Sequence, residues 1–304
     1  MPAPDLTDDV LDSLDVLRGY PREVSELSGG LTNRNYKVAT PNGCFVVRHS
    51  SDDTTALAID RDHEYRNSLL AAEAGVGAPV IEYRPDLRVL VVGYIPGDTF
   101  TDASFALPGN VERVAAACHK LHSGGRFVND FDMFDIQRRY LRIVHENGYR
   151  LPPRYDEFAA HVELIRKALA IRDEGTVPCN NDLLAANFID DGEKIWLIDY
   201  EYAGNNDACF ELGNIWSESH LTIDQLEAMV TAYYGQPVRN KIARAQLQGL
   251  MSKYGWTLWA SIQQATSSID FDFWEWGMEK YDGALAMFEG PQFERLLDDV
   301  QRSD

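Results

Sequence analysis

Residues 22–50 carry the pattern of apolar and polar positions expected of β-structure. The segments NYKVAT and GCFVVRHS flank PNG, and Asn42-Gly43 is a strong signal for a tight hairpin turn. A helical pattern follows from about Thr55 to Ala74, with Gly75 placed as its C-cap. APVIEY and RVLVVGY then return to strand around a turn at Pro85-Asp86. Strands, one helix and further strands make a small β-rich lobe over residues 1–97, and Pro96-Gly97 breaks the pattern as a candidate hinge.

Beyond Gly97 the periodicity is mostly helical: Val111–His122, Met133–His145 and Tyr155–Ile171. A β-signal interrupts it in TVPCN, NFID and KIWLIDY, with a turn at Asp191-Gly192 between the last two. After Cys209 everything reads as helix. The reading is an α+β chain of two lobes, residues 1–97 and the larger, helical 98–304, and a length of 304 residues agrees with more than one core.

Composition narrows the partners. The chain is 45% hydrophobic and 25% charged, ordinary for a globular protein. Its formal net charge of -20 argues against nucleic acid, whose phosphates demand Lys and Arg. No apolar run approaches the roughly 20 residues of a membrane span. The opening MPAPDLTDDV lacks the basic and apolar regions of a secretory signal. Four cysteines with no C-x-x-C pair read as reduced thiols of a cytoplasmic protein. His119 and His122 are three apart on a helical pattern, and ordinary packing is the expectation over a metal site.

The chemistry concentrates in PCNNDLLAANFIDDGEKIWLIDYEY, residues 178–202. Asp182 and Asn187 form D-x-x-x-x-N, and Asp199 follows in an apolar strand. Phosphoryl transfer from Mg·ATP calls for such groups. One carboxylate orients or deprotonates the attacking hydroxyl, while an amide oxygen and a second carboxylate hold Mg2+. A hairpin between NFID and KIWLID would bring Asn187 and Asp199 to one end of adjacent strands. Taken alone, the spacing also fits a turn residue, a cap and a strand end.

The first lobe offers complementary parts. LSGGLTNRNYKV places Gly29 and Gly30 between strands, where a backbone without Cβ atoms lies close over phosphates, although a plain hairpin reads the same way. Arg48 stands among apolar strand residues in CFVVRHS, and Glu64 in the next helix, IDRDHEYRN. A strand cation paired with a helix carboxylate is the kinase arrangement for the α- and β-phosphates. Each residue singly reads as a solvated surface charge; their order along the chain makes the set.

With these motifs the chain resembles the choline/ethanolamine kinase branch of the aminoglycoside phosphotransferase superfamily. The resemblance runs from GGLTN through IDRDHE, YIPGDTF, NDLLAANF and IDYEYAG to GWTLW. It implies a protein-kinase-like fold, with ATP and Mg2+ as cofactors. It assigns Asp182 as catalytic base, Asn187 and Asp199 as magnesium ligands, and Gly30, Thr32 and Asn33 to the phosphate loop. Arg48 and Glu64 become the phosphate-positioning pair, and Gly93, Tyr94 and Ile95 the backbone that holds adenine. One departure stands out: the family has histidine two residues before the catalytic aspartate, and here that residue is Asn180.

The acceptor must follow from the pocket. A quaternary ammonium is bound by aromatic faces aided by a carboxylate. Of six tryptophans, Trp256, Trp259, Trp274 and Trp276 fall close together, and Trp256 and Trp259 share a helix face. The resemblance implies a cage of Tyr202, Trp256, Trp259 and Trp276 with Glu218 as acidic partner; the other reading is helical core. The expectation is a small-molecule kinase acting on choline or a related amino alcohol. The alternatives are an aminoglycoside or other small-molecule phosphotransferase, and a catalytically weak kinase-fold binding protein.

Overall fold

The computed structural model describes residues 6–27, 30–50 and 57–303. Gly29 and the expected helix start at Thr55 lie outside the described residues. In the first lobe, α1 (Asp8–Ser13), β1 (Glu23–Leu27), β2 (Asn33–Thr40) and β3 (Gly43–Ser50) precede α2 (Arg61–Glu73), β4 (Val80–Arg84) and β5 (Val89–Gly93). Five strands form one antiparallel sheet in the order β1-β2-β3-β5-β4. The hairpin turn falls one residue earlier than its sequence signal. Thr40 pairs with Gly43, so Pro41 and Asn42 make the turn. Gly43 opens β3 at φ +149°, a conformation that glycine alone adopts without strain.

The period of two along β3 sorts its side chains between two environments. Phe45 and Val47 join a core with Tyr36, Val38, Val89 and Val91, roofed by Leu11, Leu14 and Leu17 of the N-terminal segment. Val46 and Arg48 lie on the opposite face. The carboxylate of Asp60 caps α2, accepting the Asp62 and His63 N–H groups at 3.0 Å each. The helix ends at Glu73, and Gly75 follows at φ +76° as expected.

The second lobe begins with β6 (Asp98–Thr99), α3 (Asn110–His122), α4 (Met133–Asn147) and α5 (Ala159–Ile171), the last entered through a 3-10 turn at Tyr155–Phe158. Four short strands follow, β7 (Val177–Cys179), β8 (Phe188–Asp190), β9 (Ile195–Leu197) and β10 (Gly204–Asn206). β8 and β9 form the expected hairpin, with β6 added to its edge, and β7 pairs with β10. Nothing in the sequence marks β6 and β10, because Asp-Thr and Gly-Asn-Asn hold no apolar residue to carry a β-signal. The chain finishes with α6 (Ala208–Glu218), α7 (Ile223–Tyr234), α8 (Arg239–Thr266), α9 (Phe273–Phe288) and α10 (Phe293–Asp299). Among the described residues no helix is long and apolar enough to cross a membrane.

α8 is the axis of this lobe. Apart from half-buried Lys253 it is buried on all sides over Ala243–Gln263, with Leu247, Leu250, Met251, Leu258 and Ile262 wholly enclosed. α6 crosses it with backbone almost on backbone at Gly213 and Gly249. A Cβ on Gly213 would collide with the Ala245 carbonyl oxygen and stand 2.7 Å from the Gly249 nitrogen. Gly213→Ala must push the helices apart, and overpacking of this kind costs about 1–3 kcal/mol. A lower midpoint in thermal unfolding is the expected result. An unchanged midpoint would show that the crossing yields without cost.

Candidate active site

The outward face of β3, the first turn of α2 and the end of β9 converge on one group of charges. Arg48 Nη1 donates to Glu64 Oε1 at 2.7 Å and to Asp199 Oδ1 at 2.6 Å. Arg61, one helical turn before Glu64, donates to Glu64 Oε2 at 2.6 Å, Glu201 Oε2 at 3.1 Å and Asn33 Oδ1 at 2.8 Å. Glu201 also accepts from the Thr32 hydroxyl at 2.7 Å and the Asn33 amide at 2.8 Å. Three carboxylates thus face two guanidiniums. Burial pulls the Arg48 pKa down, but the charges of Asp199 and Glu64 overcome it and leave the guanidinium well above its ordinary value. Burial pushes the Glu201 carboxyl up, and Asp199 adds to the push.

A cavity of about 360 Å3 opens beside this group. Apolar Val46, Leu90, Val92 and Ile198 line part of it, and Arg48, Glu64, Asn187 and Asp199 line its polar end. Gly30, Gly93, Tyr94 and Ile95 also border it. The structure therefore brings eight of the expected nucleotide and metal residues to one cavity. Thr32 and Asn33 instead turn their side chains to Glu201. The Gly93 and Tyr94 N–H groups are engaged by the Pro79 and Cys44 carbonyls at 2.8 and 3.0 Å.

The loop after β7 is sewn to the end of β9. Asn180 Nδ2 donates to the Ile198 and Asp199 carbonyls at 3.1 and 2.8 Å, and its Oδ1 accepts the Asp182 N–H at 3.1 Å. Glu211 of α6, fully buried, accepts the N–H groups of Asn180 and Asn181 at 2.8 and 2.7 Å. Asn187 Nδ2 donates to the Asp182 carbonyl at 2.7 Å, which leaves its Oδ1 free to act as a ligand oxygen. The Ile198 N–H meets the Asn187 carbonyl at 3.0 Å, so Asn187 and Asp199 do lie at one end of the hairpin. Asn181 and Asp199 adopt left-handed backbone, φ +69° and +64°, a region that Asn and Asp tolerate better than other side chains.

The Asp182 carboxyl lies well above the usual carboxylate range. Desolvation is the main cause, the charges of Asp199, Glu201 and Glu218 add to it, and Lys280 opposes them. Glu218 and Lys280 are therefore within electrostatic reach of Asp182.

Around them stand the expected cage residues. Tyr202 and Trp256 meet edge to face at 4.9 Å, and Trp259 and Trp276 at 5.5 Å. Trp259 Nε1 donates to the Tyr202 hydroxyl at 2.9 Å, and Trp256 Nε1 to Asn214 Oδ1 at 3.2 Å. Tyr202, Trp256 and Trp259 are buried within the helical-lobe core, and Trp276 packs against it half-buried. The Lys280 ammonium lies 3.8 Å from the Trp276 ring centroid and is bonded to Glu218. Trp274 stands apart, its ring 3.7 Å from the Arg150 guanidinium carbon. His119 and His122 pack on the Tyr233 ring at 5.3 and 5.4 Å.

Sequence reading missed Arg61, Glu201, Glu211 and Lys280. Arg61 and Glu201 lie inside IDRDHE and IDYEYAG, so their place in those motifs was the available signal. Glu211 and Lys280 sit on helices with no local pattern to mark them.

The family model for choline/ethanolamine kinase matches residues 24–233. Over 283 residues the chain is 26% identical to ethanolamine kinase 2 of Mus musculus, covering 83% of this chain and 73% of that protein. A choline/ethanolamine kinase family protein from Mesorhizobium loti superposes with a TM-score of 0.85 at 30% identity, covering 96% of this chain and 97% of that one. Choline kinase LicA from Streptococcus pneumoniae superposes with a TM-score of 0.75 at 25% identity, covering 86% of this chain and 92% of that one.

The charge group makes Glu64 structurally indispensable. Its side chain is 3% exposed and serves two guanidiniums. Glu64→Ala leaves both short of a counter-ion, and breaking a buried pair in this way costs about 3–5 kcal/mol. Urea unfolding should show a loss near the lower end, since Arg48 keeps Asp199 and Arg61 keeps Glu201. A loss below about 1 kcal/mol, the scale of exposed pairs, would mean that water already reaches the group.

Proposed function

The chain belongs to the choline/ethanolamine kinase family and is an ATP-dependent phosphotransferase acting on an alcohol, and from that premise we propose which residues carry the reaction and which alcohol they serve. The observation that supports the assignment best is the Arg48–Glu64–Asp199 contact, sewn through Asn180 to the loop that carries Asp182 and Asn187. Residues 1–97 act as the nucleotide-binding lobe and 98–304 as the catalytic and acceptor-binding lobe, with Pro96-Gly97 between them.

The nucleotide occupies the cavity beside β3. Val46, Leu90, Val92 and Ile198 suit a flat heteroaromatic base. Ile95 supplies the adenine-facing N–H, because those of Gly93 and Tyr94 are already engaged. Arg48 takes the α- and β-phosphates, oriented by Glu64. Thr32 and Asn33 fix the Gly30 loop above them by tying it to Glu201.

The donor set fits magnesium. Asn187 Oδ1 and the Asp199 carboxylate are hard oxygens, and the surrounding charge group has more carboxylates than guanidiniums. When bound there, the ion neutralises phosphate charge and orients the transferring group. Asp182 receives the acceptor hydroxyl and takes its proton, and desolvation gives it the raised proton affinity that this task rewards. Asn180 braces the loop with three hydrogen bonds, which favours a working enzyme over a weak binding protein.

The acceptor is a cationic amino alcohol, choline first, read by Tyr202, Trp256, Trp259 and Trp276 with Glu218 beside them. The relatives named above are called choline kinase in one case and ethanolamine kinase in another, so kinship leaves the choice to the pocket. A trimethylammonium is weakly hydrated yet fully charged, and aromatic faces return about 2 kcal/mol or more when they desolvate it. We place the enzyme in the cytoplasm, where its free cysteines, Cys44, Cys118, Cys179 and Cys209, stay reduced.

Three measurements test this reading. ATP consumption should appear with choline in a panel that includes ethanolamine, thiamine and several aminoglycosides; turnover with an aminoglycoside alone overturns the acceptor. Asp182→Asn should lower kcat by on the order of 10²-fold or more while the ATP KM changes little. Trp256→Ala should raise the choline KM much more than the ATP KM, and equal effects on both would remove the ring from the acceptor site.

A further inference from the structure

Lys280 stands where the proposed cage would present its own charge. On α9 it lies one turn beyond Trp276, so the helix itself sets its ammonium over that ring. The same ammonium is bonded to Glu218, and the two side chains are 10% and 5% exposed. The other Glu218 oxygen accepts from the Ser217 hydroxyl at 3.2 Å. A second ammonium, that of Lys253, is held 3.3 Å from the Ser217 carbonyl. Burial lowers its pKa, while the charge of Glu218 supports it and that of Lys280 opposes it. Glu218, the one carboxylate assigned to the cage, is thus already shared with the protein's own cations.

We infer that Lys280 is a specificity-determining residue, which by holding Glu218 and one face of Trp276 steers the acceptor site toward a head group without N–H donors. The inference rests on the acceptor-site reading given above. A primary ammonium brings three N–H donors that must be paired on entering a desolvated site. Glu218 would be their natural partner, but Lys280 occupies it. A trimethylammonium has no donor to pair and needs ring faces alone, and Tyr202, Trp256 and Trp259 remain to supply them. Lys280 therefore penalises ethanolamine more than choline. It acts on the acceptor through Glu218 and Trp276, which makes it a positioning residue with no part in the chemical step.

The test is the ratio of kcat/KM for choline to that for ethanolamine, a quantity from which the folded fraction of any variant cancels. Lys280→Met should lower the ratio about tenfold, the scale of one hydrogen bond to a charged group. Lys280→Arg, which keeps the cation, should retain the wild-type ratio. In Lys280→Met combined with Glu218→Gln, the freed carboxylate is gone and the ratio should return toward the wild-type value. A ratio that stays put in Lys280→Met, or moves toward choline, overturns the inference. If Lys280→Met does not fold, the wild-type enzyme decides. Tetramethylammonium should compete with choline at concentrations where methylammonium does not, and equal or stronger competition by methylammonium overturns the inference. Failure of the underlying reading looks different. If neither alcohol is turned over, or Trp256→Ala leaves the acceptor KM unmoved, the acceptor site is misassigned and the inference falls with it. If both of those hold while the ratio stays fixed, only the role of Lys280 is refuted.

Discussion

The Arg48 guanidinium, held between Glu64 and Asp199, is the contact on which the arrangement of this protein turns. It joins a strand of the first lobe, the helix that follows and the end of a strand in the second lobe. Arg61 and Glu201 extend it, and through Thr32 and Asn33 they reach the loop between β1 and β2. Buried ion pairs contribute little net stability, because desolvation consumes most of the Coulomb gain. What such a group provides is geometry. The guanidinium is rigid and always charged, and its several donors meet two carboxylates from distant elements at once. The lobes cannot change their spacing at this point without stranding a charge. Carboxylates in excess of guanidiniums leave the site short of positive charge, which matches the family's dependence on a divalent ion.

The second constraint lies in the loop that carries Asp182. Its backbone is held from below by Glu211 and from the side by Asn180, whose amide bridges to the carbonyls at the end of β9. Asn180 both donates and accepts through its side chain, which a neutral histidine also does with its two ring nitrogens. That shared capacity explains why a departure from the family pattern leaves the loop intact. The left-handed backbone at Asn181 and Asp199 lies on either side of this brace. Strain of that kind persists only where the surroundings over-determine it.

How much of this was legible in the sequence depended on how local the cause was. The alternation around Arg48 and the hairpin joining Asn187 to Asp199 are decided by near neighbours and took their expected places. The helix with Glu64 instead starts only at Arg61, behind its Asp60 cap, and residues 57–60, expected to be helical, are not. The hairpin turn slipped by one residue because the φ of +149° fell on Gly43 as the first strand residue. Arg61, Glu201 and Lys280 escaped notice for the opposite reason. Glu201 meets Asn33 across 168 positions and Lys280 meets Glu218 across 62, and no periodicity encodes contacts at such range. Thr32 and Asn33 were read as phosphate-loop residues, but their side chains turn to Glu201, a partner that only the fold reveals.

The aromatic cluster proposed as the acceptor site is also part of a core. Tyr202, Trp256 and Trp259 are buried in the core of the helical lobe, as tryptophans at helical spacing commonly are. Of these, Tyr202 lies within electrostatic reach of Asp182, as do Glu218 and Lys280. A core of aliphatic residues would pack as densely but offer no attraction to a cation. Ring faces keep that attraction without placing an unpaired polar group in the interior. Their polar edges are already satisfied, Trp259 by Tyr202 and Trp256 by Asn214, so the rings are fixed by bonds made at the edge and not at the face. If the acceptor site is the one proposed above, its selectivity is set by what balances Glu218, and the cation bonded to Glu218 is Lys280.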